Sequence, residues 1–203
     1  MAVHKRVTTK YFDDAGHEFS TAPVEDTINI KRVKGGFESR YLAHDEYPQS
    51  PDEWGDEDLF LVHYHRDFYV ERKKQIEKEE LANWYRGGKI GQEKDFHIFP
   101  VSALIHGGVA LRLGERGFGE DPGGWDTSHV GACLASKKEW KKRDGAEKAC
   151  DGLVDEWNKY LSGDTYCLVR DRLDAKKKVI DSAVVCGYYG FDEAKKELKD
   201  FEG

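Results

Sequence analysis

The chain has 203 residues and a formal charge of −7; charged residues make up 35% of it and hydrophobic ones 38%, with five Trp, ten Tyr and ten Phe enlarging a thin aliphatic core. That length suits one domain burying roughly 70% of its unfolded surface, and the acidic balance excludes a general nucleic-acid binder, which needs clustered Lys and Arg. No run of about 18 apolar residues is present to cross a membrane, and the start, Met1 to Val7, has basic residues with no apolar stretch behind them, so neither a membrane span nor a secretory signal is expected.

Residues 1–24 carry scattered charge without a period and read as an N-terminal arm or loosely attached strand, leaving 25–203 as the domain. Ile28 and Ile30 alternate with Asn29 and Lys31, predicting a strand over Thr27 to Val33, and Lys34-Gly35-Gly36 turns it into a second strand, Phe37 to Ala43. His44 to Asp58 is loop, and Leu59 to Tyr64 is an apolar run of the buried-strand kind. Glu71 to Arg86 predicts a helix with Ile76, Leu81, Trp84 and Tyr85 on one side, stopped by Gly87-Gly88.

Phe96 to Ile105 and Val109 to Leu113 predict two strands around Gly107-Gly108, the Gly-rich stretch Gly114 to Gly124 an exposed loop, and Val130 to Leu134 a further strand. Ser136 with Glu139 forms a capping box, so a short helix is expected there. Ala146 to Leu161 is the clearest helix: Cys150, Leu153, Val154, Trp157, Tyr160 and Leu161 recur at the spacing of one buried face. Thr165 to Arg170 and Val179 to Cys186 predict antiparallel strands joined by a turn over Asp171 to Lys178, and a turn centred near Ala175 sets Arg170 opposite Asp181 as an ion pair. Phe191, Ala194, Leu198 and Phe201 mark a terminal helix. The expected class is α+β, a mainly antiparallel sheet covered by three to four helices in a single domain.

Cys133, Cys150, Cys167 and Cys186 are widely spaced without a Cys-x-x-Cys pair and read as buried thiols of a cytosolic protein. His63 and His65 leave the same face of a strand and form a candidate divalent-metal pair, with His106 or His129 as a third ligand; the competing reading is two histidines packed at a strand end. Trp125-Asp126-Thr127-Ser128-His129 is the richest polar run. Trp125 there stacks a planar ligand, with Asp126 and His129 as an acid-base pair, or the run braces the turn into the next strand. His106 with Gly107-Gly108, Asp164 after the helix stop, and Tyr188 and Tyr189 before the last helix complete the candidate binding residues; each also has a packing or turn-forming explanation. No catalytic signature fixes a reaction.

In order along the chain, Asp45-Glu46-Tyr47-Pro48-Gln49-Ser50-Pro51-Asp52-Glu53-Trp54, His65-Arg66, His106 with Gly108, Trp125-Asp126, Val130-Gly131, Tyr160 through Tyr166, Asp181-Ser182 and Gly187-Tyr188-Tyr189-Gly190 resemble a family of small, mostly uncharacterised bacteriophage and plasmid proteins over roughly residues 44 to 200. The chain departs from that pattern at Ile105, Gly107 and His129, and at Gly123-Gly124, which stand where the family has Cys-Pro. The resemblance implies an accessory protein made in the host bacterial cytoplasm and brings no reaction with it.

The expected function is therefore a phage-encoded protein that binds and inhibits a host protein or protein complex, such as a CRISPR-Cas or restriction system, without a cofactor, without a membrane and without direct nucleic-acid binding. The alternative is a metal-assisted hydrolase of nucleotides or nucleic acids working through His63, His65, His106 and Asp126.

Overall fold

The structure, a computed structural model, describes residues 3–6, 10–54, 57–63, 95–114 and 118–202. It corrects the expected class. In place of one sheet under three to four helices, the described residues form three separate antiparallel sheets and two α-helices, and the chain divides into two compact units: 1–48 with 163–203, and 49–162. The helix expected over Glu71 to Arg86 lies outside the described residues.

The first unit begins with β1 (Val3–Arg6), β2 (Lys10–Asp13) and β3 (Glu18–Phe19), a three-stranded sheet in the segment expected to be an arm. Its second sheet has the order β11-β10-β5-β4, built from β4 (Asn29–Val33), β5 (Gly36–His44), β10 (Thr165–Asp174) and β11 (Val179–Tyr189). The hairpin of β4 and β5 matches the sequence expectation. Alternation gives this sheet two apolar faces: Tyr41, Ala43, Cys167 and Val169 point one way, Leu42, Tyr166 and Leu168 the other. Phe19, Val3 and Tyr11 pack on the first face, so the N-terminal strands are part of the core. The second face meets the terminal helix α2 (Phe191–Glu197) and the turn after it through Phe191, Ala194, Leu198 and Phe201, the stripe expected from the sequence.

Asp171, expected in the turn, is instead a buried position of β10, which runs four residues further. Its carboxylate accepts hydrogen bonds from the Ser20 amide (3.0 Å) and hydroxyl (2.9 Å), the Tyr41 hydroxyl (2.8 Å) and the Ser182 hydroxyl (2.7 Å). Burial first, and then the Asp171 charge, push the Tyr41 phenol well above its ordinary value, so it stays a donor to Asp171 while accepting from the Ser20 and Thr21 amides. The longer strand also moves the register: Arg172 faces Asp181, and Arg170, paired with Ala183, reaches Asp181 diagonally at 3.9 Å.

The second unit has a sheet of order β6-β9-β7-β8, made of β6 (Leu59–His63), β7 (Phe96–Ile105), β8 (Val109–Leu113) and β9 (Thr127–Ser136). Gly131 is required in β9 because a Cβ there would lie 1.9 Å from the Val62 carbonyl oxygen of the adjacent strand. Helix α1 (Arg143–Ser162) packs Ala146, Cys150, Leu153, Val154 and Trp157 against Leu61, Phe99, Val101, Leu111, Val130 and Cys133, as its periodicity predicts. Asn158 binds the outer edge of β8 as a strand would, accepting from the Leu111 amide (2.7 Å) and donating to its carbonyl (3.0 Å). The short helix expected after Ser136 is a single turn closed by the Trp140 amide on the Ser136 carbonyl; the Ser136 hydroxyl accepts from Lys138, not from Glu139 as a capping box requires. Trp140 packs on the core at that point and its carbonyl is bound by His97 at 3.0 Å, which ends the turn.

Tyr41→Phe removes one donor from a buried carboxylate without changing volume, and is expected to lower stability by about 2 kcal/mol. Urea unfolding at neutral pH checks this; a midpoint unchanged from the parent contradicts the role given to the Asp171 cluster.

Candidate functional site

Of the polar residues singled out in the second unit, His106 and Asp126 meet at one end of its sheet, where the turn between β7 and β8 adjoins the loop leading into β9. The Ile105 amide donates to the Asp126 carbonyl (2.9 Å), which ties that loop to the end of β7. Beside this contact the His106 Nδ1 lies 3.0 Å from the Asp126 carboxylate. His106 is 81% exposed and Asp126 44%, so the pair stands in water, where a surface ion pair contributes about 0–1 kcal/mol.

Asp121, which the sequence reading passed over, organises the loop. Its carboxylate accepts from the Trp125 amide (3.0 Å), the Asp126 amide (2.9 Å) and the Thr127 hydroxyl (2.8 Å). Partial desolvation raises the Asp121 carboxyl, and the bonds from Thr127, Asp126 and Trp125 together outweigh it and hold it below the ordinary aspartate value. Gly124 takes a left-handed φ of 67°, and the Trp125 indole lies so close over Gly123 that a Cβ there would come within 2.5 Å of it. The Gly123-Gly124 pair thus lets the loop turn and the indole fold back across its own backbone. The outcome is a tryptophan held at its main chain and yet 91% exposed as a residue.

His63 stands opposite Gly131 across β9, whereas β7 at Leu104, two residues before His106, pairs with Thr127. The four steps from Gly131 to Thr127 span about 13 Å of strand, so the sheet register separates His63 from His106. The His63 ring meets Trp157 edge-on, at 6.3 Å between centroids. His65 lies outside the described residues. His129 is exposed on β9, in line with Ser102 of β7.

Asp164, Tyr188 and Tyr189 belong to the first unit. The Asp164 carbonyl accepts from the Gly190 amide (2.8 Å) and so fastens the start of β10 to the end of β11. Burial first, and then the neighbouring Asp164 carboxylate, push the Tyr166 phenol up to about 12. Tyr188 packs with Tyr166, Leu42 and Leu198 in the core, and Tyr189 pairs with Thr165 across the hairpin. The four cysteines do not all stay thiols: Cys167 and Cys186 are joined in a disulfide between β10 and β11, while Cys133 and Cys150 are buried thiols. No helix among the described residues is long and apolar enough to cross a membrane.

Because the folded Asp121 carboxyl is held low, its hold on the loop is complete above the unfolded value of about 3.9 and is lost as pH falls through the lower, folded one. Amide resonances of Trp125 and Asp126 should therefore titrate together with a midpoint below about 3.9, and Asp121→Asn should abolish that step. A shared midpoint at or above the ordinary value contradicts the assignment. Compared with protein-family models, curated proteins and solved structures, the chain matches none of them.

Proposed function

We propose that this chain is a phage- or plasmid-type accessory protein that binds a host protein and inhibits it, with the loop over residues 121–127 as the contact. The host system is one of defence, such as CRISPR-Cas or restriction, and the site of action is the bacterial cytoplasm. The observation that carries the binding role is Trp125, 91% exposed on a loop held to one carboxylate by two backbone amides and the Thr127 hydroxyl. An exposed indole forgoes about 2–3 kcal/mol of burial that a partner can supply. Fixing the loop beforehand removes the ordering cost from the binding step, and tryptophan is among the residues that dominate binding energy at interfaces.

His106 and Asp126 sit beside the indole as polar, solvent-exposed groups, the composition of an interface rim. The net charge of −7 favours a partner with a basic surface, because complementary charge speeds encounter more than it adds to affinity. The exposed His–Asp pair lacks the burial that tunes acid-base groups for catalysis, which favours binding over hydrolysis. The phage or plasmid part of the proposal is supported by the order of motifs along the chain, and the inhibitory part by the acidic charge, the aromatic surplus and the lack of a catalytic signature.

Expression in a bacterium carrying a CRISPR-Cas or restriction system, followed by challenge with a phage which that system blocks, tests the reading. The wild-type chain should raise plating efficiency, and Trp125→Ala should weaken binding to the isolated target by about 2 kcal/mol, about thirtyfold in Kd. His106→Ala should change the association rate and its salt dependence more than the dissociation rate. Unchanged plating across such systems, or full inhibition by the Trp125→Ala chain, contradicts the proposal.

A further inference from the structure

The Cys167–Cys186 bridge lies beside a carboxylate. One sulfur from each cysteine and one Asp45 oxygen all fall within 4.8 Å of one another, with Cys167 buried, Asp45 half-buried and Cys186 exposed. Three elements bring them together. Ala43 of β5 pairs with Cys167 of β10, and Asp45, two residues on, is directed to the same face. The Asp45 amide donates to the Thr165 carbonyl (3.0 Å), which keeps the chain beyond β5 on the edge of β10, and the carboxylate is steadied by the Tyr47 amide at 3.1 Å. On the other side, a register shift between Tyr166 and Leu168 sets Cys186 beside Cys167, with 3.9 Å between the Cα atoms.

We infer that this is a redox-gated zinc site: in the disulfide form it has no thiolate to offer, and in the dithiol form Cys167, Cys186 and Asp45 supply two sulfurs and one oxygen to Zn2+. The chemistry balances. A dithiol passes two electrons and its two thiol protons to the S–S bond and becomes a disulfide, or a phosphine becomes its oxide by taking the oxygen of one water whose two protons complete the thiols; zinc then displaces both thiol protons to water. Two thiolates and a carboxylate on one metal suit zinc, whose fourth tetrahedral position stays open to water at the exposed Cys186 side. The hydrogen-bonded strands hold the two cysteines together after reduction, so the sulfurs need only side-chain rotation to move from bond length to the separation at which both bind one ion. Reducing compartments keep such pairs as thiols, and there the site is in its metal-binding state.

The test uses the full chain and Zn2+ alone, competed against a chromogenic chelator, with Co2+ as a spectroscopic substitute. Phosphine-reduced protein should take up one metal ion per chain and show thiolate-to-cobalt charge-transfer absorption. The oxidised protein should show neither. Cys167→Ser with Cys186→Ser, which retains Cys133 and Cys150, should abolish the absorption, and Asp45→Asn, away from the disulfide chemistry, should weaken affinity about tenfold or more. Equal uptake by oxidised and reduced chains, absence of uptake by the reduced chain, absorption that survives the double serine change, or unaltered affinity in Asp45→Asn each overturns the inference.

Discussion

Both four-stranded sheets bury residues on both faces, and that constraint governs the fold. In the sheet of β11, β10, β5 and β4, alternate residues of the same strand enter different cores: Tyr41 and Ala43 one, Leu42 the other. In the sheet of β6, β9, β7 and β8, Leu61 and Cys133 go to the core under α1, while Val62, Ala132 and Leu134 go to the opposite face. An antiparallel sheet commonly leaves one face to water; burying both requires material on each side. In the first unit this recruits the N-terminal strands to one face and the terminal helix to the other.

Polar groups inside such sheets must be matched within the protein, and short side chains do this at several points. Asp171 gathers donors from Ser20, Tyr41 and Ser182, linking the end of β3 to three strands of the larger sheet. Asn158 completes the free edge of β8 from a helix. Asp121 applies the same chemistry at the surface, where its three donors belong to the very loop it sits in. The difference in setting decides the consequence. Inside, a carboxylate satisfied by four hydrogen bonds stabilises packing; outside, it fixes the backbone under an exposed indole, the feature on which the proposed contact rests.

Local patterns were legible in the sequence where the physics is local. The spacing of Cys150, Leu153, Val154 and Trp157 announces α1, and Lys34-Gly35 announces the hairpin of β4 and β5. Asp171-Arg172 misleads, because a charged pair has the composition of a turn and becomes strand only through Ser20 and Tyr41, 151 and 130 positions away from Asp171. The disulfide is hidden for a related reason: a one-residue irregularity in register decides whether Cys167 meets Cys186, and no spacing rule contains it. Trp125, Asp126 and His106 could be named as candidates from composition. Asp121 could not be separated from an ordinary Asp-Pro-Gly-Gly turn, since its role depends on which amides converge on it. The separation of His63 from His106 follows from the pairing of β6, β7 and β9, which needs the whole sheet.

The central claim is that Trp125 is offered on a backbone already fixed before any partner arrives. Backbone 15N relaxation in the free protein measures this directly. Order parameters for Trp125, Asp126 and Thr127 should match those of β9, near 0.85 as in rigid backbone generally. Values below about 0.6 across the three residues, with β9 rigid beside them, contradict the claim, because a loop that must be ordered by its partner is not a prepared contact surface.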